Sequence, residues 1–152
     1  MKSFAFKDRS TWRKDSPAFS EWADKVLWVD RETGLDCMLH RNNFGSWCGY
    51  VGVPQSHALH SLTYQDFWDL DVNLSVHGGI TYTEGCDGLR DDGSGICHIA
   101  DDGDHVWWIG FDTAHLCDVM PSGLVSSSGT YRTQAFSTGE VTLLARQISN
   151  IK

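Results

Sequence analysis

Asp112, His115 and Asp118 stand at intervals of three in the run Gly110-Phe111-Asp112-Thr113-Ala114-His115-Leu116-Cys117-Asp118. On a helical turn beginning at Asp112, that interval puts all three side chains on one side. Carboxylate and imidazole together can accept and donate protons near neutral pH, hydrogen-bond a polar ligand, or ligate a divalent metal. Asp112 also suits a helix N-cap after an apolar strand, a role that coexists with a site. The pattern is less specific than His-Glu-x-x-His.

A second imidazole stands in Val76-His77-Gly78-Gly79-Ile80-Thr81-Tyr82. Two glycines after a histidine allow positive φ and close approach of backbone to a ligand, and a strand bulge would use them equally well. The expected catalytic group is therefore His77, His115, Asp112 and Asp118. Gly78, Gly79 and Thr81 are the expected ligand-binding neighbours. Tyr50 of Cys48-Gly49-Tyr50-Val51-Gly52-Val53-Pro54 and Trp108 of the 105–111 run are the expected aromatic ligand contacts, although core packing serves Tyr50 nearly as well. His57 and His60 follow that motif on a connection that could cover Tyr50. Cys86, Cys97 and His98 offer thiolate and imidazole to a structural zinc. They lack paired Cys-x-x-Cys spacing, adjacent Cys97 and His98 ligate jointly only awkwardly, and Cys86 and Cys97 could instead bring their thiols together across the acidic loop. Cys37 and Cys48 read as small buried apolar residues.

These groups need a scaffold. Residues 26–30 and 35–40 read as strands around the turn Glu32-Thr33-Gly34, and residues 46–53 as a third strand ended by Pro54. A polar connection with one short helical turn follows over 55–71. Residues 72–83 form two apolar-alternating halves around His77-Gly78-Gly79. The acidic, glycine-rich stretch 84–104 reads as a surface loop, 105–111 as a strand, and 126–130 as a Ser-rich connection. Val141, Leu144, Ala145 and Ile148 recur at helical spacing within 138–151, with Ser137 or Thr138 as the cap. The fold class is thus α+β, a mainly antiparallel sheet with a C-terminal amphipathic helix. Residues 1–24 read as a loosely ordered start, and 25–152 as a single domain.

Length and charge narrow the function. At 152 residues the chain fits one domain. A formal net charge of −8 opposes general nucleic-acid binding. Residues 1–13 lack the apolar core of a signal peptide, and no run approaches a membrane span. Cytoplasmic residence without a membrane partner is the expectation, with the cysteines as thiols or metal ligands. Walker A, Gly-x-Ser-x-Gly and dinucleotide fingerprints are absent. The acidic loop residues Asp87, Asp91, Asp92, Asp101, Asp102 and Asp104 do not follow the EF-hand pattern.

Together, the segments 30–36, 48–54, 77–82 and 107–118, with the closing helix and Cys97-His98, resemble a family of small, largely uncharacterised proteins found in phages and bacterial genomes. The family pattern has Cys where Thr113 stands and Gly where Cys117 stands. The resemblance therefore carries over Asp112, His115 and Asp118, and no nucleophilic cysteine. It implies a phage or prophage origin, residence in the host cytoplasm, and interference with host physiology or defence signalling. Three functions follow as expectations. The first is a binding domain for a small polar molecule, such as a nucleotide-derived host signal, in a pocket of aromatic rings, glycine backbone and His/Asp groups. The second is a His/Asp-dependent hydrolase of a small phosphorylated or nucleotide substrate, with a divalent metal as the candidate cofactor. The third is an acidic protein that masks a host protein. Arg41, Arg90 and Arg132 are the cations available for phosphate, and self-association is open.

Overall fold

The computed structural model describes residues 1–87, 92–97, 105–123 and 129–152. Among the described residues there are six strands: β1 (Lys2–Phe4), β2 (Lys25–Val29), β3 (Asp36–Arg41), β4 (Trp47–Val53), β5 (Tyr82–Glu84) and β6 (Trp107–Asp112). The helices are α1 (Tyr64–Asp69) and α2 (Gln134–Ser149). The strands form one sheet in the order β1-β2-β3-β4-β6-β5, and each neighbouring pair is antiparallel. With α2 laid on it, this is the α+β architecture expected from the strand and helix patterns. Local chemistry sets the β2–β3 hairpin. Asp30 Oδ2 accepts the Thr33 N–H at 2.9 Å and its hydroxyl at 2.8 Å, and Gly34 closes the turn at φ +74°.

Strand alternation divides the apolar residues between two layers. Cys37, Leu39, Val51, Val53, Ile109 and Phe111 face Val141, Leu144, Ala145 and Ile148 of α2. Gly49 lets the helix approach, because a Cβ there would collide with Phe111 and Val141. Leu27, Met38, Cys48, Tyr50 and Trp108 form the other layer, covered by Ile96. Part of the stretch expected as surface loop is therefore core: Ile96 and Cys97 are buried. The buried Lys25 ammonium donates to the carbonyls of Gly93, Gly95 and Cys97, each at 2.8 Å. His40 adds a hold by accepting the Gly95 N–H through Nε2 at 3.3 Å. Burial keeps that ring neutral, its pKa lowered to about 4.

Three further differences have identifiable causes. Over 72–83, only 82–84 pairs as strand, because Gly78 and Gly79 take φ of +70° and +84° and turn the chain. The C-terminal helix begins at Gln134 rather than 138, capped by Thr133, whose hydroxyl accepts the Phe136 N–H at 3.1 Å. Residues 1–24 carry more structure than their composition suggests. Asp24 accepts the N–H groups of Phe6 and Lys7 at 2.7 Å, and Glu21 accepts from Arg41, Trp47 and the Gln134 N–H at the start of α2.

Among the described residues, no helix is long and apolar enough to cross a membrane. Arg90, Asp91, His98, Asp101, Asp102, Asp104 and residues 126–128 lie outside the described residues.

Cys86 and Cys97 are joined by a disulfide spanning 11 residues, which consumes both thiols proposed for zinc. Chain-entropy arguments give a loop of that length about 3 kcal/mol of stabilisation. Urea unfolding with and without a dithiol reductant checks this: the midpoint should fall on reduction, and an unchanged midpoint would show that the bond contributes nothing.

Candidate functional site

β6 delivers Asp112 to the end of the sheet, but the chain beyond it is a turn, not the helical turn that the spacing of three suggests. Asp112 Oδ1 accepts the Ala114 N–H at 2.9 Å, so it caps a turn rather than a helix. Thr113 is buried, its N–H and hydroxyl both donating to the Trp47 carbonyl. The turn closes where the Asp118 N–H reaches the His115 carbonyl at 2.9 Å. Asp112, His115 and Asp118 still end up in one neighbourhood, by way of this turn.

His77 arrives from the other side. Its N–H donates to Glu140 Oε2 of α2 at 2.8 Å, and its ring stands edge-on to Phe136 at 5.4 Å. The ring Nε2 lies 2.9 and 3.1 Å from the two Asp118 oxygens. A carboxylate only accepts, so Nε2 carries a hydrogen, and in the neutral ring the lone pair is on Nδ1. Asp118 is 1% exposed and also accepts from Arg132 Nε at 2.8 Å and the His115 N–H at 3.0 Å. Burial disfavours the charged carboxylate, but the hydrogen bonds from Arg132, His77 and His115 outweigh it and hold the acid below its usual range.

His115 completes the cluster. Its ring centroid is 5.7 Å from that of His77, and the planes cross at 62°. Its Nε2 lies 3.3 Å from Asp112 Oδ1, within reach of charge attraction but without hydrogen-bond geometry. Asp112 is fixed in turn by the Thr81 hydroxyl, which donates to Oδ2 at 3.1 Å. Gly78 makes the arrangement sterically feasible, since a Cβ there would occupy the space of the His115 ring; Gly79 faces open space. The side chains of His77, His115 and Asp112 are 20, 35 and 28% exposed, but His115 Nε2 itself is buried, so small solutes reach that ring only away from Nε2.

The structure thus brings together His77, Gly78, Thr81, Asp112, His115 and Asp118, with Gly79 beside them. It does not add Tyr50 or Trp108. Both side chains belong to the layer on the sheet face away from α2. Trp108 is 0% exposed and out of any ligand's reach, and Tyr50 packs edge-on against Tyr82 at 5.1 Å. Tyr50 does border a separate cavity of about 530 Å³ shared with Lys7, His40 and Asp87. His57 and His60 do not cover it. Their Nε2 atoms meet the carbonyls of Ile148 and His105.

No family model, curated protein or solved structure matches this chain. The chemistry is therefore read from the residues themselves. Burial pushes the Cys37 and Cys48 thiols up to about 12, which suits packing and not nucleophilic attack. Among the described residues, no group of three or more His, Cys, Asp or Glu side chains is arranged to hold a metal ion. Arg41 is buried elsewhere, against the carbonyls of Ala23 and Gly45. Of the expected cations among the described residues, Arg132 joins the site and Arg41 does not; Phe136 and Glu140 join it without any local motif to announce them.

Asp118→Asn should cost about 1–3 kcal/mol at pH 7, the worth of a charge-assisted hydrogen bond. Because the folded pKa lies below the ordinary 3.8, this contribution is present above that value and lost as pH falls through the folded one. Thermal unfolding from pH 7 to pH 2 should show a flatter decline below about pH 4 in the variant. Superimposable acid limbs would remove Asp118 from this role.

Proposed function

We propose that His77 and His115 act as a general base and acid on a small polar substrate, and that hydrolysis is the reaction class. The observation that supports this is the placing of each partly exposed imidazole beside its own carboxylate, His77 with Asp118 and His115 with Asp112, across 5.7 Å. In this reading His77 Nδ1 takes a proton from water, and Asp118 stabilises the imidazolium that forms. His115 returns a proton to the leaving group from Nδ1, because its Nε2 is buried beside Asp112 Oδ1. The water oxygen bonds to the electrophilic atom as the leaving-group bond breaks, and solvent then takes the proton from His77 and returns one to His115.

Local charge narrows the substrate. Asp112, Asp118 and Glu140 surround the rings, and Arg132 already donates to Asp118. A singly charged phosphodiester suits that field better than a doubly charged monoester, because Arg132, the cation that the described residues bring to the site, is already bound to Asp118. Nucleotide-derived phosphodiesters are accordingly the first substrates to test, in line with the family resemblance and its host-signal implication.

His77→Ala and His115→Ala should each lower turnover by about 100- to 10,000-fold without unfolding the protein. A panel of cyclic and linear phosphodiesters, nucleoside monophosphates and carboxylic esters, followed by product chromatography, checks this. A second reading, binding without turnover, draws on the Gly78-Gly79 turn and the open space at Gly79. It requires that calorimetry detect a phosphodiester bound by the wild type, weakened by His115→Ala, and recovered intact. Turnover that survives both histidine substitutions would end the acid–base reading.

A further inference from the structure

The acid–base reading assigns roles to two imidazoles and two carboxylates but leaves Arg132 without one. A guanidinium at such a site could be an anchor for an anionic substrate or a support for the catalytic groups. Its geometry separates these. Arg132 Nε donates at 2.8 Å to Asp118 Oδ1, the same oxygen that lies 3.1 Å from His77 Nε2. The guanidinium also lies over the Phe136 ring at 5.0 Å, and that ring is the edge-on neighbour of His77 at 5.4 Å. Arg132 and His77 are therefore clamped between one carboxylate and one aromatic ring.

We infer that Arg132 is a positioning residue, holding Asp118 charged and aimed so that His77 presents its Nδ1 lone pair to the substrate. Asp118 is almost fully buried and accepts from three different residues. Burial alone would favour its neutral acid, which could donate to the imidazole instead of accepting from it. Arg132 opposes that reversal by charge and by a fixed hydrogen bond. Among the described residues, the other charged or titratable groups around His77 are Asp118, His115 and, through the backbone, Glu140 of α2. Asp112 lies one step further, beside His115. This inference rests on the acid–base reading for its importance to turnover, but its structural content can be tested without a substrate.

The test is nitrogen-15 NMR of the His77 ring in the full-length wild type, Arg132→Gln and Arg132→Lys, with carbon-13 titration of the Asp118 carboxyl. The wild type should show the proton on Nε2 and a bare Nδ1 when the ring is neutral. In Arg132→Gln the Asp118 titration should move upward by about one unit, and the Nε2–H signature should weaken. Arg132→Lys, which keeps the charge and loses the fork, should restore part of both. With a substrate, Arg132→Gln should lower kcat about tenfold or more with little change in KM. A wild-type ring protonated on Nδ1 would overturn the inference without need of a variant that folds. So would an Arg132→Gln protein with unchanged ring and carboxyl signals, and so would a rise in KM alone, which marks a substrate anchor. If no substrate is ever turned over but the ring and carboxyl signals respond as stated, the acid–base reading fails and the positioning role stands.

Discussion

One buried carboxylate holds the site together. Asp118 joins three stretches of chain: the turn after β6 through the His115 amide, the glycine turn through His77, and the approach to α2 through Arg132. A buried carboxylate is unfavourable unless its lone pairs are met by donors, so the folded chain must bring those donors to it. The same requirement that stabilises Asp118 orients the His77 ring. Stability and prospective chemistry are here one constraint.

The rest of the fold serves that meeting point. Alternation along β4 and β6 places the α2-facing layer so that Phe136 and Glu140 reach His77, while Gly49 permits the helix to lie close. Glu21 accepts the Gln134 N–H and fixes the start of the same helix. On the far face, Lys25 and the disulfide bind residues 92–97 over a second apolar layer. That disulfide bears on location as well. Disulfides persist in oxidising surroundings or through resistance to reduction, whereas the composition alone suggested thiols.

Much of this was legible in the residues. The β2–β3 hairpin, β4 and β6 follow from β-branched and aromatic runs bounded by glycine, proline and acidic turns. Asp112, His115, His77 and Asp118 were recognisable by type and spacing, although through a turn instead of a helix. What could not be read depends on distant partners. Residues 1–24 look loose because Asp24 folds the segment back on Phe6 and Lys7, and Glu21 anchors it to Arg41, Trp47 and Gln134, contacts that no local pattern announces. Arg132, Phe136 and Glu140 belong to α2 and its approach, where nothing local separates a site-facing side chain from any other. Tyr50 and Trp108 were plausible ligand contacts by composition, but strand alternation sends them to the opposite layer, and a sequence does not say which layer carries the chemistry.

The most direct measurement is a double-mutant cycle on folding stability at pH 7, combining His77→Gln with Asp118→Asn. The account predicts a coupling energy of about 1–3 kcal/mol, because the two groups share a charge-assisted hydrogen bond and act as one unit. Strict additivity of the two substitutions would mean that these side chains do not interact in the folded protein, and the proposed site would lose its foundation.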